Sequence, residues 1–414
     1  MPAEMGRAPL LPVAEALKRI LAAAAPVSAE TLPLMAARGR TLAADLASRR
    51  TQPPFATTAM DGYAVRGADV MQAGARLAVI GESAAGRGFA GTVRPGEAVR
   101  IFTGAPLPDG ADTILIQENA VVEGAAIVAS QAEPTGRFVR RAGLDFSEGD
   151  TLLRAGQRLG ARELGLAAAM NHASVSVRRR PRIGILATGD ELVMPGETPG
   201  PDQIIASNNL AVAAAAEAAG GEAVLYGIAG DSMAALETAI AHARADRVDV
   251  LVTIGGASVG DHDLVQAALA NEGMDLGFWR IAMRPGKPLM FGTIGDMILL
   301  GLPGNPVSSL VCSLIFLRPL IRALVGDPDA AAPQDVAAIA GCDFAANDER
   351  QDYLRATVTG SRDGVPEVIV AGRQDSSMLA TLARADCLLI RPPHAPAARA
   401  GSPCRILWLG LMDR

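Results

Sequence analysis

The chain has 414 residues, half of them hydrophobic, and a net charge of −6. That length suggests about two to four domains with sizeable cores. The acidic balance excludes nucleic acid as the main partner, because nothing supplies a broad phosphate-neutralising field. Cys312, Cys342, Cys387 and Cys404 form no CxxC pair, and the 4 histidines show no metal-ligand spacing. A zinc site or disulfide framework is therefore not expected, and a reducing cytoplasm fits.

At the start of the chain, Glu15, Lys18 and Arg19 interrupt the apolar stretch 10–25, so it reads as an amphipathic helix rather than a signal peptide. Val13, Leu17, Ile20 and Leu21 share one helical face, and Pro26 ends the helix. Residues 30–50 read as a second helix with an arginine-rich end. From Thr51 the character changes. Glycines, prolines and short alternating runs at 76–80, 99–102 and 113–117 predict a small β-domain over 51–144. It looks inserted between two halves of a connecting domain, 1–50 and 145–180, with a helical stretch near 161–171. Arg178-Arg179-Arg180 reads as a solvated charge cluster at a domain junction.

Residues 181–326 alternate strand and helix: strands at 182–188 and 222–228, helices near 207–219 and 232–244. This predicts a doubly wound α/β domain. Three glycine- and proline-rich loops follow β-like runs at 248–254, 276–283 and 297–300. They are Gly255-Gly256-Ala257-Ser258-Val259-Gly260, Arg284-Pro285-Gly286-Lys287-Pro288 and Gly301-Leu302-Pro303-Gly304-Asn305-Pro306. Open α/β sheets bind ligands at the carboxyl ends of their strands, and helix N-termini favour anions. The apolar stretch 307–317 stops at Arg318-Pro319 and reads as too short to span a bilayer. Pro328 and Pro333 mark a linker, and 327–414 reads as a β-domain of short strands.

Each motif has a plain reading beside a functional one. Thr188-Gly189-Asp190-Glu191 could place carboxylates at a pocket mouth or form an ordinary capped turn. Asp261 and Asp263 could serve a divalent cation beside a phosphate, or Asp261 could cap a helix. Arg284 and Lys287 pair two cations across a proline-stiffened turn that suits an oxyanion, yet such a turn is often only surface. Asp61-Gly62 and Thr103 read as β-turn residues, and Arg350, Arg355, Ser376 and Ser377 as ordinary polar residues.

Together these stretches resemble the MoeA family of molybdopterin molybdenumtransferases, related to the C-terminal part of gephyrin. The matching segments run in family order: Ala59-Met60-Asp61-Gly62-Tyr63-Ala64, Phe102-Thr103-Gly104-Ala105-Pro106, Arg140-Arg141-Ala142-Gly143, Thr188-Gly189-Asp190-Glu191-Leu192, 255–260, Pro285-Gly286-Lys287-Pro288 and 301–308. The resemblance implies a multidomain α/β fold: a doubly wound molybdopterin-binding domain, a linker domain, an inserted small β-domain and a C-terminal β-barrel, in an elongated homodimer. It implies that adenylated molybdopterin and molybdate are converted to molybdenum cofactor and AMP, with Mg²⁺ or a similar cation.

By the same resemblance, Arg284, Lys287, Pro288 and Ser308 would line the oxyanion site, with Arg350 and Ser376 or Ser377 added from the C-terminal domain. Thr188, Gly189, Gly255, Gly256, Ser258, Pro303, Gly304, Asn305 and Pro306 would line the substrate site. Glu191, Asp231, Asp261 and Asp263 would stand near the cation. Asp61 and Thr103 carry over as functional positions that complete the cleft of the partner subunit. Transient contact with a molybdopterin adenylyltransferase and with molybdoenzyme-loading factors is implied too; a membrane is not. Some positions depart from the commonest pattern: Arg284 stands where many relatives have lysine, Leu144 replaces an acidic residue, a single Asp231 follows Gly230, and Gln374-Asp375-Ser376-Ser377 lacks the usual glycine. The rival readings are a gephyrin-like scaffold, or a molybdopterin adenylyltransferase or nucleotide-conjugate hydrolase on a related α/β domain.

Overall fold

The computed structural model describes residues 10–256 and 264–413. Helix α1 (Val13–Ala22) buries Val13, Ala16 and Ile20, with Leu17 and Leu21 half-buried beside them. It packs on the core of the α/β domain rather than on the connecting domain. Residues 30–50 are not a helix. Strand β1 (Ala29–Pro33) and a short 3₁₀ turn at Leu34–Ala37 occupy the first part, and Leu46–Ala47 is a two-residue strand. Tertiary pairing overrides local propensity here: the connecting domain also holds α2 (Ala161–Ala169) and β2 (Ser174–Arg178), and β2 pairs antiparallel with β1.

The inserted domain is a six-stranded sheet in the spatial order Thr113–Ile116, Gly62–Val65, Glu97–Ile101, Arg76–Ser83, Ala126–Ala129, Ala120–Glu123. Tyr63 and Val65 face one small core with Leu77, Leu115 and Ile127; Ala64 faces a second with Val99, Ile101 and Ile114. That period-two division is what the alternating runs predict.

The α/β domain comprises β3 (Arg182–Thr188), α3 (Asn208–Ala218), β4 (Glu222–Ala229), α4 (Met233–Ala245), β5 (Val250–Ile254), α5 (Leu264–Asn271), β6 (Asp275–Trp279), β7 (Met290–Ile294) and β8 (Met297–Leu302). The sheet order is β4-β3-β5-β8-β7-β6, with the first four strands paired in parallel and β7 and β6 each added by antiparallel pairing. Every residue of β5 and β8 is buried, as expected for strands covered on both faces. Val250 and Val252 face the core shared with α1 and α3, while Leu251 faces the core shared with α4 and α5. The chain leaves β3 for β4 on one side and then crosses to β5 on the other, which makes the β3–β5 boundary the topological switch point.

Two expectations change here. The run 276–283 is broken: β6 ends at Trp279, Arg280 takes a φ of 85°, and Met283–Arg284 pairs with Gln351–Asp352 of the C-terminal domain. The Arg284 turn therefore does not sit at the carboxyl end of a strand of the α/β sheet. The apolar helix does not stop at Arg318-Pro319. It runs as α6 (Pro306–Cys312), a π-helical stretch at Ser313–Leu317, and α7 (Arg318–Leu324), 19 residues in all. Proline lacks the N–H that would bond back along the helix, and a wider turn accommodates the loss. By length and composition this helix could cross a bilayer, but 72% of it is buried inside the fold. Phe316, Leu317, Leu320 and Ile321 sit in the core of the α/β domain.

In the C-terminal region five strands close on themselves in the order Gln351–Arg362, Val365–Val370, Val336–Ala340, Pro403–Trp408, Cys387–Arg391 and back to the first. Closure removes the free sheet edges. Ala356, Val368, Cys387, Leu389 and Ile406 fill its interior.

Candidate functional site

One cavity of about 860 Å³ opens at the switch point. The turns after all four parallel strands reach it: Thr188, Gly189 and Glu191 after β3, Asp231 after β4, Gly255 and Gly256 after β5, and Pro303, Gly304, Asn305 and Pro306 after β8. Pro288 and Ser377 join from the Arg284 turn and the C-terminal domain. Sequence reasoning named all of these, Ser377 as one of two options. It missed Ser207, Asn208 and Asn209 at the start of α3, and Ile204 and Ile205 before it, which also line the cavity. The polar triplet ahead of an alanine-rich helix was a usable signal.

Glycine is required where backbones meet. At Gly255 (φ 98°) a Cβ would stand 2.7 Å from the Thr188 carbonyl oxygen. At Gly189 the backbone itself sets the requirement, with a φ of 140° that side chains rarely adopt, and the flexible Glu191 side chain folds over that turn. The turns are tied to each other: the Asp231 N–H donates to Asp190 Oδ1 at 2.9 Å, and Asn208 Nδ2 donates to the Gly304 carbonyl at 2.6 Å. Thr188 is buried, with its hydroxyl 3.4 Å from the Ile254 carbonyl. Glu191 and Asp231 are both exposed to the cavity, and neither carboxylate has a hydrogen-bond or ion-pair partner among the described residues. Among the described residues no group of three or more His, Cys, Asp or Glu gathers for a metal. Ser258, Asp261 and Asp263 lie outside the described residues.

The expected oxyanion residues divide. Lys287 is exposed beside Pro288, with no ion-pair partner among the described residues. The turn is pressed against α6: a Cβ at Gly286 would stand 2.6 Å from Cys312 Sγ. Arg284 points elsewhere. Its guanidinium meets the carboxylates of Asp352 and Asp348, and the side-chain oxygen of Asn347 at 3.2 Å. Arg350 is engaged by the same Asp348 at 2.5 Å, and neither arginine lines the cavity. The Arg350 hydrogen bonds, with Arg284 adding charge, bring the Asp348 carboxyl from an ordinary 3.8 to about 2. Ser308 is buried and outside the lining. Ser376 offers its carbonyl to the Val307 N–H at 3.1 Å, so it fastens the C-terminal domain to the start of α6 while Ser377 faces the cavity.

Ser377 is held in place from below. Its N–H and hydroxyl donate to Asp375 Oδ1 at 2.8 and 2.6 Å. Arg355, only 1% exposed, donates to Gln374 Oε1 and to the carbonyls of Met378 and Arg373. The arginine that looks ordinary in sequence is the post on which the 373–378 loop is wound.

Asp61 and Thr103 form a separate site in the inserted domain. The Thr103 N–H and hydroxyl both donate to Asp61 Oδ1 at 2.7 Å, and these bonds lower the Asp61 pKa, the hydroxyl most. Gly62 is required there, since a Cβ would meet the Leu115 carbonyl oxygen at 2.2 Å. Arg100 lies across the rings of Tyr63 and Phe102 and donates to the Gly62 carbonyl. No residue of the inserted domain lines the switch-point cavity.

Sheet order, switch-point cavity and closed barrel define a multidomain α/β protein built around a small-molecule site. Family profiles match in order: the MoeA N-terminal region (domain I and II) at 11–171, a probable molybdopterin binding domain at 184–323, and the MoeA C-terminal region (domain IV) at 337–409. The chain is 37% identical over 388 residues to a molybdopterin molybdenumtransferase of Nostoc sp., covering 92% of this chain and 88% of the relative. It is 35% identical to one from Haemophilus influenzae, covering 92% and 94%. A crystal structure of a molybdopterin biosynthesis MoeA protein from Pyrococcus horikoshii OT3 superposes with a TM-score of 0.82 at 26% identity, covering 96% of this chain and 99% of that one. The chain belongs to the MoeA family of molybdopterin molybdenumtransferases, enzymes of molybdenum cofactor biosynthesis.

Proposed function

We propose that this enzyme inserts molybdenum from molybdate into adenylated molybdopterin and releases AMP. The observation that carries the reading is the convergence of all four parallel-strand turns, with Pro288 and Ser377, on one cavity of about 860 Å³. The glycine turns after β3 and β5 expose backbone to a phosphoanhydride. Lys287 stands beside the cavity as a point charge for a tetrahedral dianion. Arg284 and Arg350, tied to Asp348 and Asp352, brace the turn that presents Lys287 and Pro288 rather than meeting the oxyanion themselves.

A divalent cation fits this site. Glu191 and Asp231 supply two hard carboxylates that meet no cation of the protein among the described residues, and Mg²⁺ near phosphates takes one or two carboxylates with waters. Bound there, Mg²⁺ would polarise the phosphoryl oxygens. The protein's own part is to hold the adenylate against the glycine turns and the oxyanion beside Lys287, so that the two reactants meet in one orientation. The enzyme works as a cytoplasmic homodimer, in which Asp61 and Thr103 complete the partner's cavity, and it receives its substrate by transient contact with the adenylyltransferase.

Purified protein given adenylated molybdopterin, molybdate and Mg²⁺ is expected to release AMP only when molybdate is present. AMP release independent of molybdate would point instead to a conjugate hydrolase, and no release would sink the reading.

A further inference from the structure

A second, smaller cavity of about 180 Å³ lies where the connecting domain, the end of α3 and helix α7 meet. It shares no residue with the switch-point cavity. Five arginines line it, Arg40, Arg158, Arg178, Arg318 and Arg322, against a single carboxylate, Asp327. The expected solvated cluster at 178–180 is instead anchored at this junction: Arg179 grips Asp249 with two hydrogen bonds, and Arg178 Nη1 donates to the Val27 carbonyl at 2.9 Å.

The remaining groups do not balance. Arg40 is paired with Glu30, and Arg322 Nε donates to Asp327 at 2.7 Å. Among the described residues Arg158 reaches only carbonyls, of Gly39 and of Ala218 at the end of α3. Arg318 finds no acceptor among the described residues, and both its Nε and Nη1 of Arg322 are buried without a partner. Burial, and then the charges of Arg322 and Arg158, lower the Arg318 pKa. Arginine stays protonated even so, and a half-buried guanidinium with no counter-charge bonded to it is unfavourable. The π-helical stretch Ser313–Leu317 ends immediately before Arg318, the kind of distortion that often marks a functional site.

We infer that this cavity binds a tetrahedral dianion of the phosphate, sulfate or molybdate class, held by the free donors of Arg318, Arg322 and Arg158. Such an ion balances the excess positive charge of the five arginines through their cavity-facing N–H groups and ties α7 to the connecting domain. Its size suits a volume of about 180 Å³ with accompanying water.

Wild-type crystals soaked in sodium tungstate are expected to show an anomalous peak among these three guanidinium groups. A cavity holding only water after the soak overturns the proposal. In solution, calorimetric titration with inorganic phosphate at fixed ionic strength is expected to show a site that R318M weakens by about tenfold or more and that Lys287→Ala, beside the other cavity, leaves intact. Equal phosphate binding by R318M and wild type overturns the proposal as surely as no binding at all. Parallel titrations with sulfate, molybdate and AMP separate a free oxyanion from a nucleotide-borne phosphate. Either one, if sensitive to R318M, supports the site.

Discussion

At Gly255 the requirement for glycine is geometric twice over. Its φ of 98° lies where side chains are strained, and the nearest atom to an added Cβ is backbone, the Thr188 carbonyl oxygen at 2.7 Å. Backbone cannot swing aside as a flexible side chain can. Gly255→Ala is therefore expected to lower stability by about 1–3 kcal/mol and to reshape the cavity at the β3–β5 boundary. Urea unfolding and AMP release on the same preparation check it: a variant with unchanged midpoint and unchanged rate would show that the two turns can part without consequence. Glycines of this kind are legible in sequence because they cluster where strands end. Charges are less so. Arg284 and Lys287 look alike as paired cations across a turn, yet Asp348 and Asp352, more than 60 positions away in the chain, claim one and leave the other exposed. Which cation is spoken for depends on tertiary partners that no local pattern carries.

The same division runs through the elements. Strands β3, β5 and β8 are readable because parallel strands covered on both faces form apolar runs, and α1 because its apolar positions recur at helical spacing. Residues 30–50 fail because β1 owes its form to β2, whose residues lie far along the chain, with Thr31 opposite Ser176. The run 276–283 fails for a similar reason: its last residues leave the α/β sheet to pair with the barrel. That interdomain seam also explains why Ser377, not Ser376, faces the cavity. The 373–378 loop is shaped by Arg355 inside the barrel wall, and Ser376 is spent on the Val307 N–H. R355M keeps the bulk of that side chain and removes its donors to the Met378 and Arg373 carbonyls, while Gln374 Oε1 keeps only the backbone N–H of residue 355 at 3.0 Å. Stability should fall by about 1–3 kcal/mol, and the KM of the AMP-releasing reaction should rise severalfold as Ser377 drifts. Loss of stability with an unchanged KM would mean that the loop is only a strap and that Ser377 does not meet substrate.

On the scale of the whole molecule, two sites are left apart in one chain. Asp61 and Thr103 are built with care, one carboxylate oxygen taking two donors at 2.7 Å, over a glycine that tolerates no side chain. Yet the inserted domain contributes nothing to the switch-point cavity. A second copy of the chain can resolve this, because a two-fold interface lets each protomer supply what its partner lacks. The consequence is a complementation that a site built from one chain cannot show. Asp61→Ala and Glu191→Gln are each expected to abolish molybdate-dependent AMP release when pure. Denatured together in equal amounts and refolded, they form mixed dimers in which one cavity carries both lesions and the other carries neither. Random pairing makes about half of the dimers mixed, so about a quarter of all cavities are intact and the mixture should recover about a quarter of wild-type activity. If each chain completes its own cavity, every site in every dimer keeps one lesion and the mixture stays inactive. The same outcome would follow if the protein were a monomer, and sedimentation of the refolded mixture separates those two cases.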